Sequence, residues 1–236
     1  MSEMSEEQIV QALRKFDTAT ICNVVATHSR FHETRLNLYD AWYGGYYTDQ
    51  TLRCMYPDLG PVCGYAATVW YSEASTDYTV IDRWALPEHL EATKKPIILV
   101  AKQTYPPDLV NRCGHFGGNM TAEFKAQGVV GVVTDGPMRD YFEIQPQKVQ
   151  YLATGLTSGH GKTAVRGVGI PVTVAGMAVS PGDIIHMDAC GAVKFPASKL
   201  AKILEFAIKL HRLEAEHQKI FQEPGFSLAK WKESVK

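Results

Sequence analysis

Seven short apolar segments, each rich in β-branched or aromatic side chains, follow one another between residues 64 and 196. Segments of this kind are typical of β-strands. In chain order they read GYAATVWYS, KKPIILVAKQ, VVGVVT, VQYLAT, IPVTVAG, DIIHMD and AVKFP. Helical patterns stand at both ends of the chain, with one more between the strands, so the elements do not alternate as a regular βαβ repeat. The pattern therefore predicts an α+β fold, in one domain that spans residues 1–236.

Both ends of the chain carry helical periodicity. Residues 5–16 place four apolar side chains at helical spacing and begin with acidic residues, which favour a helix N-terminus. Asp17 or Thr18 can then cap a second short helix. The longest helical pattern covers residues 199–221 and has a single apolar stripe. We therefore predict a helical C-terminal extension over residues 199–236.

A stretch from His28 to Pro61 has neither strand nor helix periodicity. It is rich in aromatic residues and glycine and includes the run WYGGYY. Aromatic clusters of this kind pack in cores or interfaces more often than they bind ligands. We predict that residues 28–61 form an aromatic-rich insertion that covers a site or packs against a partner.

Composition excludes several classes of function. The net charge is -1, so the chain has no overall basic field for nucleic acid or an anionic membrane. No apolar run approaches the roughly 20 residues that a bilayer span requires. The first residues lack the basic start and apolar core of a signal peptide, so we expect a cytoplasmic protein. The five cysteines are odd in number and form no CxxC motif, so neither disulfides nor a structural zinc site is expected.

Two adjacent glycines precede a short helical pattern, MTAEFKAQ. Gly117 and Gly118 stand before Asn119, a favourable N-cap residue, and Gly128 suits the C-terminal end of the helix. The first amide N–H groups of a helix lack intrahelical partners and can bind a carboxylate or a phosphate. The alternative is a plain tight connection, since glycine pairs before helices are common.

Three charged residues follow the next strand and a DGP turn. Arg139 can grip a carboxylate with two hydrogen bonds. Asp140 and Glu143 are hard oxygen ligands suited to Mg²⁺ or Mn²⁺, and they converge if the segment starts a helix. The alternative is an arginine–aspartate surface pair of little consequence.

The spacing of these residues resembles a known family motif. Gly118, twenty intervening residues, Arg139–Asp140, two residues and Glu143 resemble the G-X20-R-D-X2-E/D pattern of the RraA-like proteins. The segments FDTATICNVV, GPVCGYAATV and AVSPGDIIHMDACGAVKFP also resemble segments of that family, so the resemblance runs from about residue 16 to 200. It implies a layered β/β/α sandwich of the swivelling-domain type, assembled as a homotrimer or homohexamer with active sites near subunit interfaces.

The family includes the class II 4-hydroxy-4-methyl-2-oxoglutarate aldolases, so the resemblance also implies an activity. Such enzymes cleave 4-hydroxy-2-oxo acids by a retro-aldol reaction that releases pyruvate, and they decarboxylate oxaloacetate, because both reactions pass through pyruvate enolate. Carried over to this chain, the backbone amides of Gly117, Gly118, Asn119 and Met120 would hold the pyruvyl carboxylate. Arg139 would bind the pyruvyl oxygens and stabilise the enolate.

The same resemblance assigns the metal. Arg139 and Asp140 are the expected catalytic residues, and Asp140 and Glu143 are the expected ligands of Mg²⁺ or Mn²⁺. The well-characterised aldolases carry an aspartate at the position of Gly118, where it orients a catalytic water, and here Glu143 is the nearby acidic residue. Family members without a working metal site act as non-catalytic regulators that bind a protein partner. A third possibility keeps the lyase chemistry on a different, sugar-derived hydroxy-oxo acid.

The remaining polar motifs support no competing function. SGHGKTAVRG lacks the glycine that a phosphate-binding loop needs, because position 156 is leucine. His115 stands just before the glycine pair and either moves protons in the site or is a satisfied structural histidine. His160 and His186 are expected to be surface or packing residues, and Asp135 is expected to form the turn before Arg139.

Overall fold

The computed structural model describes residues 4–26, 31–42, 45–77, 79 and 81–234. Residues 28–30 and 43–44 of the predicted insertion lie outside this part of the chain. The α-helices are α1 (Glu6–Leu13), α2 (Thr18–Val25), α3 (Ala85–Ala92), α4 (Gly118–Ala126), α5 (Tyr141–Ile144), α6 (Leu200–Gln222) and α7 (Leu228–Ser234). The strands are β1 (Arg53–Cys54), β2 (Val62–Glu73), β3 (Ile97–Thr104), β4 (Val129–Thr134), β5 (Gln150–Ala153), β6 (Thr163–Val168), β7 (Val172–Val174), β8 (Met177–Val179), β9 (Ile184–Asp188) and β10 (Gly191–Phe195).

A mixed eight-stranded sheet forms the centre of the fold. Its strand order is β1-β5-β4-β3-β2-β9-β10, and β6 pairs with the far end of β2. Strands β2 to β5 run parallel to one another, whereas β1, β6, β9 and β10 pair antiparallel with their neighbours. The central strands are covered on both faces, which explains why β3 and β4 read as nearly continuous apolar runs.

The two faces of the sheet carry different layers. Ile98 and Val100 of β3 point to one face, where the two-stranded hairpin of β7 and β8 packs on them. Their neighbours on the chain, Leu99 and Ala101, point to the other face and pack with helices α3 and α4. Hairpin, sheet and helices therefore form the three layers of the predicted α+β, β/β/α sandwich, which is confirmed.

A second helical group covers one end of the sheet. Helices α1, α2 and α6 pack together against β9 and β10 through buried apolar side chains such as Leu13, Ile21, Phe195 and Leu204. Of the two predicted caps of α2, Asp17 is the residue used, because its Oδ1 accepts the N–H of Thr20 at 2.6 Å. The apolar stripe of α6 is buried along its first half only.

The sequence prediction omits several elements, among them helix α3 and strands β6 and β8. Helix α3 contains a proline in its first turn, where proline is tolerated, but its short pattern does not stand out. Strand β6 follows a glycine-rich stretch and is only half-buried along most of its length, so it lacks a clear apolar alternation. The described parts of the predicted insertion contain strand β1 and two 3₁₀ turns, His32–Thr34 and Pro57–Leu59, and are otherwise irregular.

Candidate active site

Helix α4 and strand β4 connect the glycine pair to the arginine–aspartate pair, and β4 brings the chain back beside the glycine pair. Phe116 and Met138 form a parallel bridge at the edge of the sheet, and the N–H of Arg139 donates to the carbonyl of Phe116 at 2.9 Å. As a result Arg139 and Asp140, about twenty residues further along the chain, lie beside Gly117.

The start of helix α4 lies two residues before the expected position. The helix begins at Gly118 with Gly117 as its N-cap, so Asn119 is inside the first turn and is not the cap. A glycine cap has no side chain that could accept an amide hydrogen. Asp140 takes over this function from outside the helix, because its Oδ2 accepts the N–H of Gly118 at 3.1 Å.

The close approach of Asp140 explains the first glycine. A Cβ atom at Gly117 would lie 2.4 Å from Oδ2 of Asp140 and 3.0 Å from Nε of Arg139. The backbone of Gly117 has an ordinary extended conformation, with φ at -132°. The requirement for glycine is therefore one of space beside the charged pair and not one of backbone angles.

Asp140 has an unusual backbone. Its φ and ψ are 56° and 38°, in the left-handed region, where aspartate and asparagine are the most readily tolerated residues after glycine. Helix α5 starts at the next residue, so the turn at Asp140 directs its carboxylate back toward the start of α4. Residues held in this region are concentrated at ligand-binding and catalytic sites.

Arg139 is only loosely paired with its neighbour. Its Nε lies 3.6 Å from Oδ2 of Asp140, which is an ion-pair distance but not a hydrogen bond. The two side chains are 33% and 30% exposed, yet Nε itself is buried and has no hydrogen-bond partner within the described residues. A buried donor without an acceptor costs about 1–3 kcal/mol, so an oxygen of a bound ligand would relieve this cost.

Glu143 lies on the outer side of the same helix start. A Cβ atom at Gly118 would lie 2.4 Å from Oε2 of Glu143, so this carboxylate occupies the space that a side chain at position 118 would take. Glu143 is exposed and contributes, with Asp140, to a neighbouring cleft whose rim carries Phe142 and Leu156.

The cleft above the charged pair has a volume of about 370 Å³. Its lining residues are His115, Gly117, Asn119, Met120, Glu123, Arg139, Asp140, His160 and Thr163. Gly118 is buried beneath it as the first helical residue. The lining thus includes most of the predicted substrate-binding residues, whereas Glu143 faces the neighbouring cleft.

His160 is exposed, as predicted for a surface residue, and it also contributes to the cleft wall. Thr163 and Glu123 were not predicted to be near the site at all. Residues 160 and 163 come from the loop before β6 and from β6 itself, and that strand pairs with β2 rather than with β4. No local motif marks them, so only the pairing of β6 across β2 could have indicated their position.

His115 is a partly buried titratable group of the cleft wall. Its Nδ1 lies 3.1 Å from Oγ1 of Thr163, and its ring packs against Tyr71 with 3.9 Å between the ring centroids. Its Nε2 is buried and has no hydrogen-bond partner in the described part of the chain. Burial, together with smaller electrostatic contributions from the nearby His160 and Arg139, lowers the pKa of His115 to about 4. The ring is therefore neutral near pH 7.

The donor set of the site suits a magnesium-type ion better than a zinc-type ion. In the residues that the structure describes, no three His, Cys, Asp or Glu side chains come together as a metal-binding group. Mg²⁺ commonly takes one or two carboxylates and completes its shell with water and substrate oxygens. Asp140 fits this requirement, because Oδ2 receives the N–H of Gly118 and Oδ1 has no hydrogen bond within the described residues.

The other polar residues considered above have structural roles. Asp135 accepts the N–H of Gln103 and forms an ion pair with Lys102 at the ends of β3 and β4, away from the cleft. His186 is buried between Oγ1 of Thr18 and the carbonyl of Leu13, as expected for a packing residue.

Fold and cleft together define a class of protein: a β/β/α sandwich in which a helix start meets an arginine–aspartate pair. The RraA-like family model, described as Aldolase/RraA, matches residues 18–194. The chain therefore belongs to the RraA-like family. A Burkholderia multivorans protein named "Putative 4-hydroxy-4-methyl-2-oxoglutarate aldolase" is 38% identical over 85 residues, which is 35% of this chain and 51% of that protein. The chain thus spans about half the length of the curated relatives that it matches.

Solved structures agree on the fold. RraAS2 of Streptomyces coelicolor, described as an unusual member of the RNase ES inhibitor RraA protein family, superposes with a TM-score of 0.67 at 24% identity, over 92% of this chain and 99% of that one. An uncharacterised protein from Pseudomonas syringae superposes with a TM-score of 0.70 at 17% identity, over 99% and 96% of the two chains. Among the described residues, no helix combines the length and apolar character that a bilayer crossing needs.

Proposed function

We propose that this protein is a divalent-metal-dependent lyase that cleaves a 4-hydroxy-2-oxo acid by a retro-aldol reaction and releases pyruvate. The observation that carries the proposal is the buried, unpartnered Nε of Arg139 between Asp140 and the start of α4. A cation, a hard carboxylate and helix amides in one cleft match the charges of a 2-oxo acid. The name of the Burkholderia multivorans relative supports the same class of substrate.

The first turn of α4 provides backbone N–H donors for the carboxylate of the substrate. The N–H of Gly118 is taken by Asp140, and the N–H of Thr121 donates to the carbonyl of Gly117. The N–H groups of Asn119 and Met120 have no preceding helical carbonyl to bind. These two donors, together with the positive end of the helix dipole, would hold the pyruvyl carboxylate against the cleft wall.

Arg139 would act on the ketone end of the substrate. Breaking the C3–C4 bond places negative charge on the oxygen at C2, and a fixed guanidinium at that position lowers the barrier. When bound, Mg²⁺ or Mn²⁺ held by Asp140 would act as a Lewis acid on the same oxygen. The same arrangement suits oxaloacetate, whose decarboxylation also leaves an enolate.

The test is a pyruvate-release assay on the full chain with 4-hydroxy-4-methyl-2-oxoglutarate and with oxaloacetate. Each is measured with Mg²⁺, with Mn²⁺ and with EDTA. We expect turnover of at least one substrate that EDTA abolishes and added metal restores. If neither substrate is turned over with either metal, the proposal is wrong.

One observation favours the non-catalytic alternative, a regulator that binds a protein partner. Phe142 is 83% exposed and Leu156 is 54% exposed on the rim beside Asp140, and such apolar side chains suit a macromolecular contact. Isothermal titration with Mn²⁺ separates the two functions. The regulator predicts no metal binding that depends on Asp140, whereas the lyase predicts binding that Asp140→Asn weakens.

The two neighbouring glycines provide a matched pair of substitutions. Gly117→Ala places a methyl group against Asp140 and Arg139, so we expect pyruvate release to fall by at least tenfold, on the scale seen when catalytic groups are displaced by about 1 Å. Gly118→Ala meets Oε2 of Glu143 at 2.4 Å, which can turn aside, and Cβ of Glu143 at 3.0 Å, which needs a shift of a few tenths of an ångström. We expect it to lower the rate by less than about threefold.

Thermal unfolding is measured for both glycine variants, so that loss of the fold is separated from loss of activity. Equal losses of activity in the two variants would contradict the assignment of Arg139 and Asp140 to the reacting end of the cleft.

A further inference from the structure

The proposed function gives no role to His115, although its ring contributes to the wall of the cleft that contains Arg139 and Asp140. Its loop is held to the segment that precedes His160, because the N–H of Gly114 donates to the carbonyl of Gly159 at 2.8 Å. The ring therefore has a fixed position in the cleft wall.

Packing holds the ring in place on two sides. Tyr71 lies against one face of the imidazole, and Phe116 meets it edge-on with 5.1 Å between the ring centroids. On the polar side, Oγ1 of Thr163 lies 3.1 Å from Nδ1. When Thr163 accepts the Nδ1 hydrogen, Nε2 carries the lone pair and is able to accept a proton.

The free nitrogen is the unusual feature. Nε2 of His115 is shielded from solvent and has no hydrogen-bond partner within the described residues, as is also true of Nε of Arg139. Both atoms belong to side chains that line one cleft, and an acceptor and a donor without partners there favour a ligand that has both a hydroxyl group and an oxyanion. A 4-hydroxy-2-oxo acid has both.

The surroundings keep the ring neutral before the substrate binds. Burial is the main cause that lowers the pKa of His115, and electrostatic interactions with His160 and Arg139 contribute. The acidic groups that face the same cleft are Glu123 and Asp140. A neutral imidazole is the form that can remove a proton from a hydroxyl group.

We propose that His115 is the general base of the retro-aldol reaction and removes the proton of the C4 hydroxyl group through Nε2. This role rests on the proposed function above. Nε2 is the nitrogen left to accept this proton, because Nδ1 lies against Oγ1 of Thr163.

The step balances without any further reactant. The hydroxyl proton moves to Nε2, and the electron pair of the O–H bond forms the C4 carbonyl. The C3–C4 bond breaks, and its electron pair forms the enolate of pyruvate, whose oxygen faces Arg139. The imidazolium then returns the proton to C3, which gives pyruvate and restores the neutral ring.

Decarboxylation of oxaloacetate distinguishes a general base from a residue that only binds substrate. This reaction removes no hydroxyl proton, and water can protonate the enolate. The variants are His115→Gln, which places a polar group near the position of Nε2, and His115→Asn, which retains a group near Nδ1. We expect both to lose C–C cleavage of 4-hydroxy-4-methyl-2-oxoglutarate by on the order of 10²-fold in kcat. Their decarboxylation of oxaloacetate should change by less than about threefold.

Two further variants keep the test decisive if the ring itself is needed for folding. Thr163→Val leaves His115 in place but removes its only direct hydrogen bond within the described residues, and should lower C–C cleavage selectively by about tenfold. His32→Gln, in an exposed histidine outside this cleft, should change neither reaction by more than about threefold.

The outcomes are distinct. Parallel losses of both reactions in the His115 variants, an unchanged cleavage rate, or the same selective loss in His32→Gln would overturn the role of His115 and leave the lyase assignment standing. Absence of turnover by the wild-type protein with both substrates overturns the lyase assignment and this role together.

Discussion

Arg139→Ala is expected to lower kcat/KM for pyruvate release by on the order of 10²–10³-fold, which corresponds to about 3–4 kcal/mol of lost transition-state stabilisation. The guanidinium is held beside the start of α4 with its Nε buried and without an acceptor, so a ligand oxygen is the partner that it lacks. Arg139→Lys keeps the charge but not the planar fork, and should retain only part of the activity. The measurement is steady-state pyruvate release with both substrates.

Stability provides the first control for this variant. The N–H of Arg139 donates to the carbonyl of Phe116, and this backbone bond survives the substitution. The ion pair with Asp140 is about one-third exposed, so its loss costs at most about 1 kcal/mol. Arg53→Ala, in an exposed arginine of β1, controls for the removal of a charge. A kcat/KM for Arg139→Ala within about threefold of wild type would exclude Arg139 from the reaction.

The main layers of the fold are predictable from local pattern because their physical causes are local. Strand β4 is a continuous apolar run bounded by a glycine and a DGP turn, and the strand occupies the predicted residues. Helix α6 follows from one apolar stripe, and its first half is buried as that stripe requires. Strand β6 shows no such alternation, because it is half-buried at the edge of β2 and its pairing partner decides its conformation.

The residues of the candidate site also fall into two groups, one that local sequence pattern predicts and one that it does not. One group lies in a single segment around β4 and comprises Gly117, Arg139 and Asp140. Helix α4 and strand β4 lead the chain away from one edge of the sheet and back to it, so these residues come together. The contribution of His160 and Thr163 depends instead on a contact between distant strands. The sequence predicts the wrong N-cap for α4. Asp140 caps this helix from another segment, so Asn119 is not needed as a cap.

Asp140→Asn is expected to lower pyruvate release by on the order of 10²-fold or more with almost no effect on thermal stability. Asparagine retains an oxygen that can accept the N–H of Gly118, and it tolerates the left-handed backbone at φ 56°. The substitution removes the charge that a divalent cation needs. Binding of Mn²⁺, followed by isothermal titration, should therefore weaken in parallel with the rate.

Asp140→Ala separates the charge of this residue from its structural role. Alanine provides no acceptor for the helix start, which costs about 1 kcal/mol, and it is strained in the left-handed region by about 1–2 kcal/mol more. We therefore expect a melting temperature several degrees lower than that of Asp140→Asn, with a similar loss of activity. If Asp140→Asn instead retains both full activity and Mn²⁺ binding, Asp140 serves only as a helix cap, and the lyase chemistry would need a different metal ligand.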